Sequence, residues 1–441
     1  GEHPGARAQR TQLGGHPPGL VARLAAVHGH VVAGGGEVEG DGPADATGAA
    51  GDQGDGTDGG HGSYNGGMQP NESASVSAGL VRLVHEAIAR AGGWIPFDRF
   101  MALALYAPGL GYYTNDSRKF GALPQSGSDF VTAPELSPLF GRALARQVAQ
   151  ALDGTSTHEV WEFGAGSGAL AGQLLDALAG LGHASVGYTI VDLSGSLRER
   201  QQAHLARFGR RVRWLDTLPD RFSGVVVGNE VLDAMPVQLL HFDGSDWQER
   251  GVVAQGDGFG WADRPTALRP PVDGPFAPGT VTEVHPQAEA FVATLGDRLE
   301  RGAAVFLDYG FPEAEYYHPQ RTGGTLMCHR AHVADPDPLV AVGHKDITAH
   351  VNFTGIALAA QNAGLDVLGY TSQAHFLFNC GLMDLMAEGG GDLRANIAAQ
   401  KLVHEHEMGE LFKVIAFARD ADPAFTTAPL GFANGDRTHR L

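Results

Sequence analysis

The stretch VWEFGAGSGALAGQLL, residues 160–175, decides the architecture. An apolar run ends at Glu162 and Phe163, glycines follow at 164, 166 and 168, and from Ala169 the apolar residues take a helical spacing. A strand, a tight glycine turn and a helix N-terminus in that order make a nucleotide-cofactor site. Glycines let the backbone approach a ligand, and the helix N-terminus adds positive potential.

Outward from this unit the chain alternates. Downstream, the pattern predicts a helix over 168–181, the strand VGYTIVD (186–192), a helix over 195–208, the strands RVRWLD (211–216) and GVVVGNE (224–230), and a short helix near 231–236. QLLHFD, WQERGVVAQ and GTVTEVH read as strands of an irregular β region, followed by a helix over 286–300 and the strand AAVFLDYG. Later come a helix over 346–363, the strand DVLGYTSQ, a helix-rich 382–408 and the closing strand FKVIAFAR. Strands alternating with helices imply an α/β fold whose mostly parallel central sheet is covered on both faces. Upstream, SVSAGLVRLVHEAIARAGG and PFDRFMALALYAP read as two helices. They lead into a Gly/Pro/Ser-punctuated loop whose length and aromatic content point to a lid.

The expected organisation is a disordered low-complexity tail (1–72), a helical N-terminal region with a lid loop (73–157), a Rossmann-like core (158–420) with insertions at about 237–285 and 311–345, and a C-terminal tail (421–441). Twenty of the first 67 residues are glycine, which leaves little apolar surface to bury. The 441-residue chain is long enough for two domains or one large decorated domain. A formal charge of −19 argues against nucleic acid as a partner, and no apolar run reaches membrane-span length. Two cysteines, Cys328 and Cys380, are too few for a disulfide scaffold, and Cys328, His329 and His332 lack the second cluster a metal site needs, so no metal is expected.

Two cofactors fit the glycine turn. Gly164-x-Gly166-x-x-Ala169 matches a relaxed dinucleotide fingerprint, whereas Glu162-x-Gly164-x-Gly166-x-Gly168 matches the acidic turn of S-adenosylmethionine methyltransferases. Glu162 discriminates, because a carboxylate repels a pyrophosphate but can hold a zwitterionic sulfonium amino acid. Asp192 ends the second strand, where it can accept from ribose hydroxyls, and Asp216 follows the third, where an adenine amino group can donate to it. Asn229 and Glu230 end the fourth strand facing the transferred methyl, and Glu230 and Asp233, three residues apart, would share one helical face. Paired carboxylates can grip a guanidinium and localise its charge on the non-attacking nitrogens.

Several stretches together resemble a known family: LGYYT, FGALPQSGSDFVTAPELSPLFGRALA, WEFGAGSGALAGQLL, NEVLDAMPV, FLDYGFPEAEYYHPQRTGGTLMCHRAH and VGHKDITAHVNFTGI. They are similar to the MidA-like methyltransferases over about residues 78–420. That family includes a mitochondrial arginine methyltransferase that assists assembly of respiratory complex I. The resemblance implies a class I S-adenosylmethionine-dependent fold, S-adenosylhomocysteine as product, and ω-N methylation of a protein arginine. It implies that Glu162, Gly164, Gly166 and Gly168 line the methionine end of the donor. Asp192 and Leu193 would hold its ribose, with Asp216 and Thr217 at the adenine, and Asn229, Glu230 and Asp233 would line the transfer site. The loop carrying Asp129, Phe130, Thr132, Pro134 and Glu135 would close over donor or acceptor, with Thr132 and Pro134 on the donor and Glu135, Asp308 and Tyr309 on the acceptor. The family more often has Glu at 192, and the shorter aspartate would reach through water. Asp346, His350 and Asn352 are further candidates for acceptor recognition, or else Asp346 or Thr348 caps the following helix.

An NAD-linked oxidoreductase, or a donor-binding assembly factor with incidental catalysis, is the alternative reading of the same residues. The expected partner is a protein bearing an arginine, with neither nucleic acid nor membrane; the oligomeric state is open, a homodimer being one option. Only four of the 31 basic residues are lysine, and no Arg/Ser-rich presequence is seen. Both favour a bacterial cytoplasmic protein over one of the mitochondrial matrix.

Overall fold

The computed structural model describes residues 70–115, 132–192, 195–330, 333–388 and 393–441. The tail up to residue 69, and Asp129, Phe130, Leu193 and His332, lie outside the described residues.

Helix α1 (Pro70–Arg90) buries Leu80, Val84 and Ile88 at four-residue spacing and stops before Gly92, whose φ is positive. Strand β1 (Ile95–Pro96) and α2 (Phe97–Tyr106) follow. After the loop come α3 (Ala133–Leu136) and α4 (Pro138–Thr155). The core then opens with β2 (Glu159–Phe163), α5 (Ala169–Gly180), β3 (Gly187–Val191), α6 (Gly195–Leu205), β4 (Val212–Leu215) and β5 (Phe222–Asn229). A first excursion forms β6 (Gln238–Phe242), β7 (Trp247–Gln255), β8 (Gly258–Pro265) and β9 (Val281–Val284). The chain returns through α7 (Pro286–Arg298) to β10 (Leu299–Phe311). A second excursion forms α8 (Glu313–Tyr316), β11 (Met327–Arg330), β12 (Val333–Asp335), β13 (Asp346–Thr348) and β14 (Val351–Asn352). Closing elements are α9 (Phe353–Asn362), β15 (Asp366–Ser372), α10 (Gln373–Asn379), α11 (Leu382–Glu388), α12 (Leu393–Val403), β16 (Phe412–Arg419) and α13 (Pro423–Thr427).

The central sheet runs β4-β3-β2-β5-β10-β16-β15, with β14 beside the end of β10. Its pairings are parallel except those of β16, which lies antiparallel to both neighbours. The strand order reverses between β2 and β5, and such a switch point leaves a crevice at the strand tips. Alternation along the strands fills two cores. Val225, Val227, Val305 and Leu307 face α4 and α5, whereas Val226, Ala304 and Phe306 face Phe291 and Val292 of α7 and Phe353 and Ile356 of α9.

A third core joins distant parts of the chain. Leu80, Val84, Phe100 and Met101 of the N-terminal helices pack with Leu239 and Val252 of the first excursion and Cys328 and Ile347 of the second. The first excursion forms an antiparallel sheet, β1-β7-β6-β9 with β8 on β7, and the second a small sheet, β12-β11-β13. Cys328 and Cys380 are buried, free, and belong to different cores.

Four expectations change. Residues 231–236 form no helix, because Pro236 cannot continue one and Asp308 takes the amides of Val231, Leu232 and Asp233. Residues 346–363 are not one helix. Asp346–Thr348 pairs with β11 instead, and Asn352, not Asp346 or Thr348, caps α9 by accepting from Gly355 N at 3.3 Å. Strand β8 went unread because glycines interrupt it and most of its residues are exposed. Residues 421–441 dock on the core instead of trailing. Phe425 and Phe432 are buried there, and Gln147 and Gln150 accept from Gly431 N and Leu430 N at 2.7 Å.

The Phe432 ring meets Phe376 edge-on at 5.6 Å. Phe432→Ala should therefore lower unfolding free energy by about 3 kcal/mol in urea titration; a loss under about 0.5 kcal/mol would show that the segment is loosely attached.

Candidate active site

A cavity of about 490 Å³ opens where the tips of β2, β3 and β5 meet the third core. Glu135, Glu162, Asp192, Asp216, Glu230, Asp233 and Asp346 line it, and among the described residues no lysine or arginine does. That wall attracts a cationic or zwitterionic ligand and repels a pyrophosphate.

Gly164, Gly166 and Gly168 have φ of 64°, 53° and 84°, which side chains seldom tolerate. The backbone from Gly164 to Ser167 lines the cavity, but Gly168 does not. Gly168 instead caps α5 at a left-handed φ that disfavours other residues, and packs beside Leu205 and Gln201 of α6. Glu162 is buried and accepts from the Tyr188 hydroxyl at 2.7 Å. Asp192, one residue past β3, accepts from Gln201 Nε2 at 2.8 Å. Asp216 sits on the rim, paired with Arg198, while Thr217 is exposed and does not reach the cavity.

Thr132, Pro134 and Glu135 line the cavity from the end of the loop. Ser167 donates to Glu135, and Gln173 Nε2 donates to the Pro134 carbonyl at 2.8 Å, so this end of the loop is clipped to the glycine turn and α5.

At the tip of β5, Asn229 Nδ2 donates to Glu230 Oε1 at 2.9 Å, and the Ala133 amide also reaches the Glu230 carboxylate. Glu230 has φ 54°, a conformation that costs a non-glycine residue about 1–3 kcal/mol and tends to mark functional sites. Glu230 and Asp233 both face the cavity, brought there by a turn and not by the expected helical face. Asp308 does not line the cavity, which corrects its acceptor assignment. Its Oδ2 accepts from the amides of Val231, Leu232 and Asp233 at 2.9–3.2 Å, and its Oδ1 from Tyr309 N. Tyr309 does line the cavity and donates to Asp233.

The outer wall comes from the third core. Tyr106, which no sequence signal singled out, stacks on Tyr113 at 5.6 Å, and Tyr113 donates to both Asp346 oxygens at 2.9 Å. His350 stacks on Phe311 at 5.2 Å. Asp346 and His350 line the cavity; Asn352 does not. Asn229 Oδ1, Asp233 Oδ1 and His350 Nδ1 are buried with no hydrogen-bond partner among the described residues, which in a native site calls for a ligand or water.

A family model described as S-adenosyl-L-methionine-dependent methyltransferase matches residues 143–371, just over half of the chain. The chain belongs to this methyltransferase family. It is 53% identical to a Burkholderia thailandensis protein whose crystal structure holds S-adenosyl-homocysteine, with 85% of this chain and 99% of that one covered and a TM-score of 0.80. The mitochondrial protein arginine methyltransferase NDUFAF7 homologue of Caenorhabditis elegans is 27% identical over 66% of this chain and 74% of its own. The mouse NDUFAF7 arginine methyltransferase is 26% identical over 80% and 87%. Family membership and the acidic cavity together overturn the NAD reading. The cleft fits S-adenosylmethionine, with Gly164 and Gly166 letting the turn approach a ligand, carboxylates for its two cationic centres, and orphaned oxygens at the far end.

Burial pushes Glu162 up to about 8, opposed by the Tyr188 hydrogen bond and reinforced by the charge of Asp192. Burial also pushes Glu230 up to about 8, with the charge of Asp233 adding to it. Burial raises Asp308 well above the usual carboxylate range, and the charges of Asp233 and Glu230 add to the rise.

Both glutamates thus bind protons more tightly folded than unfolded, where they titrate near 4.5. Their contribution to the stability of the ligand-free protein is complete below that value and is lost as pH rises through about 8. The Tm of the free methyltransferase should therefore fall from pH 5.5 to 8.5, and the Tm gain from saturating S-adenosylmethionine should grow over the same range. Calorimetry showing a constant gain would contradict this.

Proposed function

We propose that this methyltransferase methylates an arginine side chain of a partner protein. The observation that carries the reading is the tip of β5, where Glu230 and Asp233 face the cavity beside Asn229, with tyrosines around them and no cation on the wall among the described residues. A guanidinium matches that chemistry, because paired carboxylates can grip it bidentately and aromatic faces can stack on it.

Bound S-adenosylmethionine supplies an electrophilic methyl group. The turn from Gly164 to Ser167 and Glu162 would hold its methionine end, Asp192 would accept from its ribose, and Asp216 would border its adenine. Glu230 and Asp233 orient the guanidinium, localising charge on the nitrogens that do not attack, and Tyr309 fixes the Asp233 carboxylate. The attacking nitrogen must shed a proton; the cationic guanidinium favours the ionised form of Glu230, and that carboxylate can take the proton as the methyl is transferred. The names of the worm and mouse relatives support arginine as acceptor. The Burkholderia likeness and the arginine-rich basic set support a bacterial cytoplasmic setting.

Glu230→Gln should lower kcat by about 100-fold or more while the Kd for S-adenosylhomocysteine changes less than about threefold. Mass spectrometry of lysate proteins incubated with labelled donor should place the methyl groups on arginine. Labelling of lysine or carboxyl groups instead, or an unchanged kcat in the variant, would refute the assignment. A cellular role that survives Glu230→Gln would favour an assembly factor.

A further inference from the structure

The Asp192 carboxylate is set by Gln201, a fully buried residue of α6. Gln201 Oε1 accepts from the Trp214 indole N–H at 3.0 Å. That contact fixes the amide orientation, because an indole N–H can only donate. Both hydrogens of Nε2 are thereby committed: one goes to the Gly166 carbonyl at 3.0 Å, the other to Asp192 Oδ2 at 2.8 Å. One amide thus ties the glycine turn after β2, the acid after β3 and the indole on β4. Its backbone packs beside Gly168, where a Cβ would make an ordinary contact 3.6 Å from Gln201 Cα.

We infer that Gln201 is a positioning residue for the donor's ribose, presenting Asp192 to the two ribose hydroxyls and holding the Gly166 carbonyl in register with them. The inference rests on the placement of the ribose at Asp192. The side chain does not line the cavity, so it can act on the donor only through those two groups. Its effect is therefore confined to the sugar, leaving the methionine end and the acceptor alone. A buried amide serving only to fill space would have no such selectivity.

The test uses the whole protein and two ligands, S-adenosylhomocysteine and its 2′,3′-dideoxyribose analogue, with Kd measured by calorimetry. In the native protein the analogue should bind at least tenfold more weakly; equal binding would refute the placement of the ribose at Asp192 and leave the family assignment untouched. Gln201→Leu should weaken S-adenosylhomocysteine tenfold or more and the analogue less than threefold, raising the KM for the donor with kcat nearly unchanged. In an Asp192→Ala background the same change should add less than threefold. Gln201→Glu keeps the shape and can donate to Asp192 only when protonated. Its Kd relative to the native protein should therefore worsen tenfold or more from pH 6 to 8.5, which keeps the test open should the leucine variant fail to fold. Equal losses for both ligands, or additive losses with Asp192→Ala, or a pH-independent Kd ratio for Gln201→Glu, would overturn the role of Gln201.

Discussion

The hydrogen bonds that Asp308 makes to the turn after β5 hold the site in place. Parallel register sets Asn229 beside Leu307, so the next residue of β10, Asp308, lies against the backbone that leaves β5. One carboxylate oxygen there collects three consecutive amides. A turn anchored in this way can sustain Glu230 at positive φ, because amides that would otherwise be buried without acceptors are satisfied together. The side chains facing the cavity therefore sit on the rigid tip of a central strand, not on a helix that could fray. Asp308 carries no group to a ligand, yet the geometry of Glu230 and Asp233 depends on it.

That anchoring has an electrostatic counterpart. Carboxylates cluster around the cavity, and no arginine or lysine on its wall offsets them among the described residues. Burial of like charges raises their pKa values until some hold protons near neutrality. The missing counter-charge is what a sulfonium, an ammonium and a guanidinium bring. Donor and acceptor thus stabilise the ionised site that the empty protein disfavours, and an anionic cofactor would deepen the imbalance.

How far the chain could be read from its residues follows from the range of the forces involved. The glycine turn, Asp192 and the alternating strands were visible because period-two burial and left-handed φ are local demands. Asn229 and Glu230 are legible as the tip of the fourth strand, whereas the pairing of Glu230 with Asp233 rests on a helix that does not exist; the turn that replaces it depends on Asp308, 75 to 77 positions away. Asp308 looked like a ligand residue because an acid ending a strand often is one, and only its partners show otherwise. Gly168 belongs to the glycine motif and Thr217 follows Asp216, yet Thr217 faces solvent and Gly168 packs on α6. Gln201 gave no signal, for GSLRERQQAHL shows no apolar stripe and nothing local marks which glutamine turns inward.

The two ends of the cavity differ in how the chain builds them, and that difference bears on specificity. The glycine-turn end comes mainly from consecutive strand–turn–helix units between Glu159 and Asp216, with Thr132, Pro134 and Glu135 added from the end of the loop. The outer wall is assembled from α2, the segment after it and the second excursion, through Tyr106, Tyr113, Asp346 and His350. These meet only because the third core packs the N-terminal helices against both inserted sheets. Changes in that core can reshape the acceptor end while the glycine turn, Gln201 and Asp192 stay as they are. On the proposed reading of the site, affinity for the methyl donor and choice of acceptor thus rest on separately packed parts of one chain, joined at the tip of β5.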